Sequence, residues 1–458
     1  MLFNDTAFLF LFLPLTVGAF FVVSRRTRAW VLLLASMIFY GQSGLDHLAV
    51  MMAGIVVVYF ATANGFYGRS RIAMTIAVAA PLLALAYYKY SGFIIGNLYA
   101  AAEGRISSER FSLFEDVLLP AGISFFTFQL VSFAIDRWRG DIPTRPKFAS
   151  FALYISFFPQ LVAGPILRWG QVEDRIRKLS EYRPDSDRLI QAAEYITLGL
   201  ASKVIIADGM GNLMAPITAD PASAGVLGGL FVVYGYSFQI YFDFYGYSLV
   251  AIGLGKIFGF DFPANFLRPY LSLNPKEFWR RWHTTLSYWI RDYLYIPLGG
   301  NRNYTRNILI VFAATGLWHG AGWNFIVWGC YHALLILTYT ATASHWRRLP
   351  TLIQQALTFS LVSFGWLLFL YDFGDAYALA KSVLGLGAPA AHSVSAGMWL
   401  GIAAASLVCF AVHYERLIEQ SKSKTKLGDL FRSAAMASLL LLAVLFFDQS
   451  KTFIYFRF

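Results

Sequence analysis

Few side chains in this sequence could do chemistry, and most of them sit where polar groups are costly. In Leu317-Trp318-His319-Gly320-Ala321-Gly322-Trp323-Asn324 a histidine interrupts an apolar stretch, followed by two glycines and flanked by two tryptophans. Imidazole titrates near neutral pH and can take the proton of an attacking hydroxyl, so His319 is a candidate general base. The alternative is a structural ring, hydrogen-bonded to a backbone carbonyl. Trp318 and Asn324 are the neighbours that would support either role. A second polar group is Asp243, deep in another apolar run, with Gln239 four residues before it on the same helical face. Asp243 could orient a histidine or hold a cation, but the favoured reading is local bonding to hydroxyls and backbone at a helix break.

A third group runs from Glu277 to His283 and on through Tyr288 to Gly300, alternating arginine with tryptophan as an amphipathic helix in the headgroup region would. Arg280, Arg281 and Arg291 could attract an anionic cofactor, such as the pyrophosphate of coenzyme A. His283 is the weaker of the two histidine candidates on chemistry alone. The chain closes on Phe453-Ile454-Tyr455-Phe456-Arg457-Phe458, which reads as an aromatic anchor at a membrane interface. His332, His345 and His413 fall at or near span ends and read as interface residues, while His47 and His392 read as loop residues. No HExxH, paired CxxC, Walker A or GxSxG pattern offers a rival chemistry, and no metal site is expected.

The elements that must position these groups follow from composition. Of 458 residues, 57% are hydrophobic and only 14% charged, about half the roughly 25% charged share of soluble domains. The net charge of +11 comes from short basic clusters between apolar runs, as in cytoplasmic loops, and gives no reason to expect a nucleic-acid partner. Cys330 and Cys409 form neither a disulfide framework nor a zinc spacing. The long apolar runs lack the alternation of a barrel, so an all-α polytopic membrane protein with about 11 to 13 transmembrane and re-entrant helices is expected. Residues 7–23 read as a retained first span, because no charged segment precedes them and Arg25, Arg26 and Arg28 follow.

Basic clusters orient the spans. Arg25–Arg28, Arg69 with Arg71, and Arg137 to Lys147 lie two spans apart and face the cytoplasm, which puts the N-terminus outside. The alternation then fails over 148–167, which has basic residues on both flanks and is broken by Pro159, Gly164 and Pro165. A segment that enters, breaks and returns fits that pattern, and such backbone survives only inside protein or beside water. The run 308–340, broken at His319 to Gly322, reads as a second broken or re-entrant pair. Counting onward puts the C-terminus on the outer side.

These residues together resemble the membrane-bound O-acyltransferase (MBOAT) superfamily, most closely the bacterial branch that acetylates alginate, peptidoglycan and cellulose. The likeness rests on Phe157 to Ile166, Tyr241 to Ser248, Phe278 to Arg302 and Trp318-His319-Gly320, and it spans essentially the whole chain. It implies one membrane domain over residues 1–458, with re-entrant segments around a central tunnel. It implies that acetyl-CoA or another acyl thioester enters from the cytoplasm as substrate, with no bound cofactor. This chain would lie in the inner membrane of a bacterium, and the acceptor would be an extracytoplasmic polysaccharide hydroxyl, reached through a periplasmic SGNH-type acetyltransferase partner. The signature histidines map onto His283 and His319, with His319 the essential one. The terminal aromatic motif is similar to one in the D-alanylation system, which makes Tyr455 a candidate acyl relay. Tyr245 departs from the pattern, standing where relatives usually have a small residue. A secondary transporter, or a lipid or protein acceptor, is the alternative reading.

Overall fold

The computed structural model describes residues 3–63, 70–101, 118–162, 164–414, 418, 426–447, 451 and 453–454. Among these the regular structure is helical, without a strand. Among the described residues six helices are long and apolar enough to cross a membrane: Arg71–Ala101, Ser186–Thr218, Gly225–Ile257, Trp323–Trp346, Thr351–Leu370 and Leu427–Leu445. Phe8–Val22, Leu45–Ala61 and Ala396–Ala411 are shorter apolar helices. Several carry large apolar side chains outward, among them Leu83, Leu400, Leu407 and Leu441, as a lipid-facing surface does. This is a multi-pass membrane protein.

The chain forms two compact units, Met1–Ala192 with Ala251–Phe262, and Ala193–Val250 with Pro263–Phe458. The first unit holds α1 (Leu13–Val22), α2 (Arg28–Gly41), α3 (Leu45–Ala61), α4 (Arg71–Leu85), α5 (Ser91–Ala101) and α6 (Ile123–Arg139). It continues with α7 (Phe148–Ser156), α8 (Phe158–Leu161) and α9 (Trp169–Arg177). Its core is a cluster of phenylalanines in which Phe8, Phe12, Phe39 and Phe158 lie within 5.3–6.3 Å of one another, centroid to centroid. The break foreseen in 148–167 is there: α7 stops at Ser156 and the chain turns at Phe157. Side chains satisfy the backbone groups freed by that turn. The Phe158 N–H donates to the Ser36 hydroxyl (3.1 Å), Gln160 donates to the Tyr154 carbonyl (2.6 Å), and the Tyr154 hydroxyl donates to the Leu167 carbonyl (2.9 Å).

Helix α10 (Ser186–Ala201) runs through a wide turn, Ser202–Asp208, into α11 (Gly209–Thr218), and α12 (Gly225–Ile257) follows. The second unit continues with α13 (Pro275–Arg281), α14 (Thr284–Ile290), α15 (Tyr304–His319), α16 (Trp323–Trp346), α17 (Thr351–Gly365) and α18 (Leu367–Leu370). Last come α19 (Phe373–Val383), α20 (Ala396–Ala411) and α21 (Lys426–Leu445). The run 308–340 is a tight antiparallel pair, α15 and α16, broken at Gly320 to Gly322. Two glycines allow the approach, since a methyl on Gly316 would meet the Phe325 carbonyl and one on Gly329 the Phe312 carbonyl.

Four expectations are corrected. Asp243 lies at no helix break, because α12 is continuous from Gly225 to Ile257. His332 is no interface residue: it is fully buried in α16, within 5.0 Å of both Trp279 and Trp328 by ring centroid. His47 is buried in the first turn of α3 rather than placed in a loop. Phe453 is no surface anchor: it is completely buried against Phe244 and Tyr247.

Candidate active site

His283 stands between α13 and α14 with φ 44° and ψ 55°. Among the described residues only Arg268 shares a positive φ without being glycine, and such strain persists only where surrounding contacts over-determine it. Asn265 is the main contact. Its carbonyl accepts the Thr284 N–H (2.9 Å) and its side-chain oxygen accepts the Thr285 hydroxyl (2.9 Å). The same oxygen lies 3.0 Å from His283 Nδ1, while the Asn265 amide nitrogen donates to the Ser248 hydroxyl (3.3 Å). An oxygen of this kind can only accept, so Nδ1 carries the proton and Nε2 presents its lone pair. Nε2 is buried with no hydrogen-bond partner, in a ring 1% exposed.

That ring lines a cavity of about 370 Å³, within the size range of small-molecule sites. Lys276, Arg280 and Arg291 also line it, so three cations and the His283 side of the site border one space. Arg291 is held by Asp292 at 2.6 Å and Lys276 lies over the Tyr304 ring, whereas Arg280 has no carboxylate within ion-pair distance among the described residues. Arg281 points elsewhere, paired with Glu277 at 2.5 Å, and does not line the cavity.

His319 ends α15 and is buried. Rings surround it: Trp318 at 4.8 Å, Trp328 at 5.1 Å and Phe369 at 5.1 Å, centroid to centroid. Trp318 also lies 6.1 Å from His283, so one indole separates the two imidazoles. Asn324 positions the cage by donating to the carbonyls of Leu368 (3.0 Å) and Tyr371 (3.4 Å) on either side of Phe369. Two imidazoles in a water-poor aromatic setting, one facing a cationic cavity, suit proton transfer during attack on an anionic substrate.

Residues 112–373 match the sequence model of the MBOAT, membrane-bound O-acyltransferase family. This chain belongs to that family. It is 38% identical over 386 residues to a probable alginate O-acetylase AlgI of Pseudomonas syringae pv. tomato, covering 81% of this chain and 72% of the relative. A peptidoglycan O-acetyltransferase of Helicobacter pylori is 31% identical over 432 residues, covering 84% and 80%. A teichoic acid D-alanyltransferase of Bacillus subtilis is 31% identical over 267 residues, covering 54% and 68%. The protein is therefore an O-acyltransferase.

In this MBOAT chain the structure gathers His283, Trp318, His319, Arg280 and Arg291 into one neighbourhood. Asp243 lies behind it, 1% exposed and paired with Lys203 (2.7 Å). Gln239 is half-buried on the same helix, its amide against Gly211. Tyr245 stacks on Tyr241 at 5.2 Å, filling the space that a small residue would leave. Tyr455 lies outside the described residues. Sequence reasoning missed Asn265, Lys203 and Asp208. An asparagine eighteen residues before a histidine carries no periodic signal, but a lysine in an apolar run is itself a sign of a buried partner.

Proposed function

We propose that this O-acyltransferase moves an acetyl group from acetyl-CoA, or a similar phosphate-bearing thioester, to a hydroxyl of an extracytoplasmic polysaccharide. The cavity that His283 lines together with three cationic side chains carries this reading. Lys276, Arg280 and Arg291 suit a nucleotide phosphate at the rim, and the volume of the cavity leaves room for a thioester arm toward the histidines. His283 accepts a donor-side N–H or O–H and so orients the arm. His319 takes the proton of the attacking hydroxyl as its oxygen forms a bond to the thioester carbonyl carbon. The carbon–sulfur bond then breaks and the proton passes to the departing thiolate, leaving an ester and a thiol. Burial of both rings keeps water from the thioester.

Further parts of the reading rest on the relatives and the charge pattern. The alginate and peptidoglycan acetylases support a polysaccharide acceptor; a periplasmic SGNH-type partner that passes the acyl group to it is part of the proposal. In this reading the basic segment 276–306 and the cavity mouth face the cytoplasm from a bacterial inner membrane, with both termini outside, as the positive-inside tendency favours. Tyr455 is then an acyl relay between this protein and its partner. The test uses purified protein in liposomes with labelled acetyl-CoA, comparing wild type with His319→Ala and mapping label by mass spectrometry. Label that requires His319 and resides on Tyr455 supports transfer and relay together. Label that requires His319 but lies elsewhere removes the relay, and equal labelling of both proteins removes His319 as the base.

A further inference from the structure

Behind the histidines the second unit holds a buried cluster of charge that the reaction as described does not use. Helices α10 and α12 cross at Gly199 and Gly246, so closely that a methyl on either would lie 2.6 Å from the other's carbonyl oxygen. Small residues permit such a crossing between membrane helices, and one turn further on it brings Lys203 against Asp243. Lys203 Nζ lies 2.7 Å from Asp243 Oδ1 and 2.6 Å from Asp208 Oδ1. All three residues are buried. Charges at such depth are expensive, and an ion group is poor evidence of stabilisation by itself.

The second oxygen of Asp243 has a separate partner. Oδ2 accepts the backbone N–H of Ile454 at 2.8 Å, across 211 residues of chain. Phe453, beside it, stacks on Tyr247 at 4.5 Å and contacts Phe244 at 5.6 Å. Phe244 meets His283 edge to face at 4.7 Å. A continuous line of contact thus runs from Lys203 through Asp243 and the tail to Phe244 and the imidazole.

We propose that Lys203, Asp208 and Asp243 form a docking site for this chain's own C-terminal tail, and that the docked tail sets the position of His283 through Phe244. Lys203 neutralises Oδ1 and so aims Oδ2 at the tail, and Asp208 holds Lys203. Backbone donation to a carboxylate gives a strong attachment, to which the buried Phe453 ring adds its contacts. Asp243 is then a positioning residue. Its consequence for turnover rests on the acyl-transfer reading above, but docking itself does not.

The test uses the full-length protein in liposomes with Cys330→Ser, Cys409→Ser and Ile454→Cys, probed with a membrane-permeant maleimide. The thiol introduced at position 454 is expected to react slowly, and about 10–100-fold faster when Asp243→Ala is added, as befits loss of one hydrogen bond to a charged group. Asp243→Ala leaves Lys203 paired with Asp208, so no buried charge is stranded. Phe453→Ala, which touches no charge, is expected to raise labelling as well and to lower kcat for acyl transfer more than it raises donor KM. Unchanged labelling at position 454 in both variants overturns the docking site. Increased labelling with unaltered kcat overturns the link to His283. Absence of turnover in the parent protein would count against the acyl-transfer reading alone, because the labelling comparison stands without it.

Discussion

His283 and His319 are both buried, yet their surroundings differ in kind. His283 is aimed by hydrogen bonds: Asn265 fixes its tautomer, and a strained backbone turn carries the ring. His319 is surrounded by packed rings, at the end of a helix pressed against its neighbour through Gly316 and Gly329. A hydrogen-bonded imidazole has a defined donor and acceptor side, which suits it to orient a substrate. An imidazole in an aromatic cage gains position and dryness, which suits it to move a proton only when a substrate arrives. The contrast predicts that the two sites fail differently when disturbed.

The largest expected effect is at the cage. His319→Ala should lower acyl transfer by about 10²–10⁴-fold, the usual worth of a general base, with donor affinity unchanged in an equilibrium binding measurement. A comparable loss of affinity would reverse the roles assigned to the two rings. Next, Asn265→Ala should lower turnover by about 10–100-fold, the cost of leaving the buried Nδ1–H of His283 without its acceptor. Asn265→Asp retains an acceptor for Nδ1 and should recover part of that loss. Equal activity in the two variants would show that Asn265 matters only for the turn.

Smaller effects belong to the cavity rim. Arg280→Ala should raise KM for a phosphate-bearing thioester about tenfold, the worth of one charge-assisted contact, with little change in kcat and weaker dependence on salt. Its neighbour supplies the sharpest control. Arg281→Ala removes a part-buried ion pair with Glu277 away from the cavity lining and should alter donor KM less than about twofold. If Arg281→Ala proved the more damaging, the cavity would not be the donor site.

Much of the fold was legible in the sequence. Apolar runs at 29–41, 226–258 and 352–371 became helices within a residue or two of their expected ends, because length and hydropathy alone decide what lipid accepts. A break within 148–167, expected at Pro159 and found two residues earlier at Phe157, and the one at Gly320 were readable because proline and glycine act locally. The role of Asp243 was not. Its partners Lys203 and Ile454 come from 40 residues before it in the sequence and 211 after it, and no local pattern reports such a pairing.

The sequence by itself determined that this chain is helical, membrane-embedded and an acyltransferase, and it singled out both histidines. The first two follow from hydropathy and breaker residues, and the third from the resemblance that its motifs carry to a known family. Only the tertiary structure decided which nitrogen of His283 carries the proton, which of two adjacent arginines faces the cavity, and where Phe453 is buried. Each depends on groups brought together across tens or hundreds of residues. The direction of a lone pair or guanidinium is set by the partner it meets in space, and the identity of that partner is not a local property of the sequence.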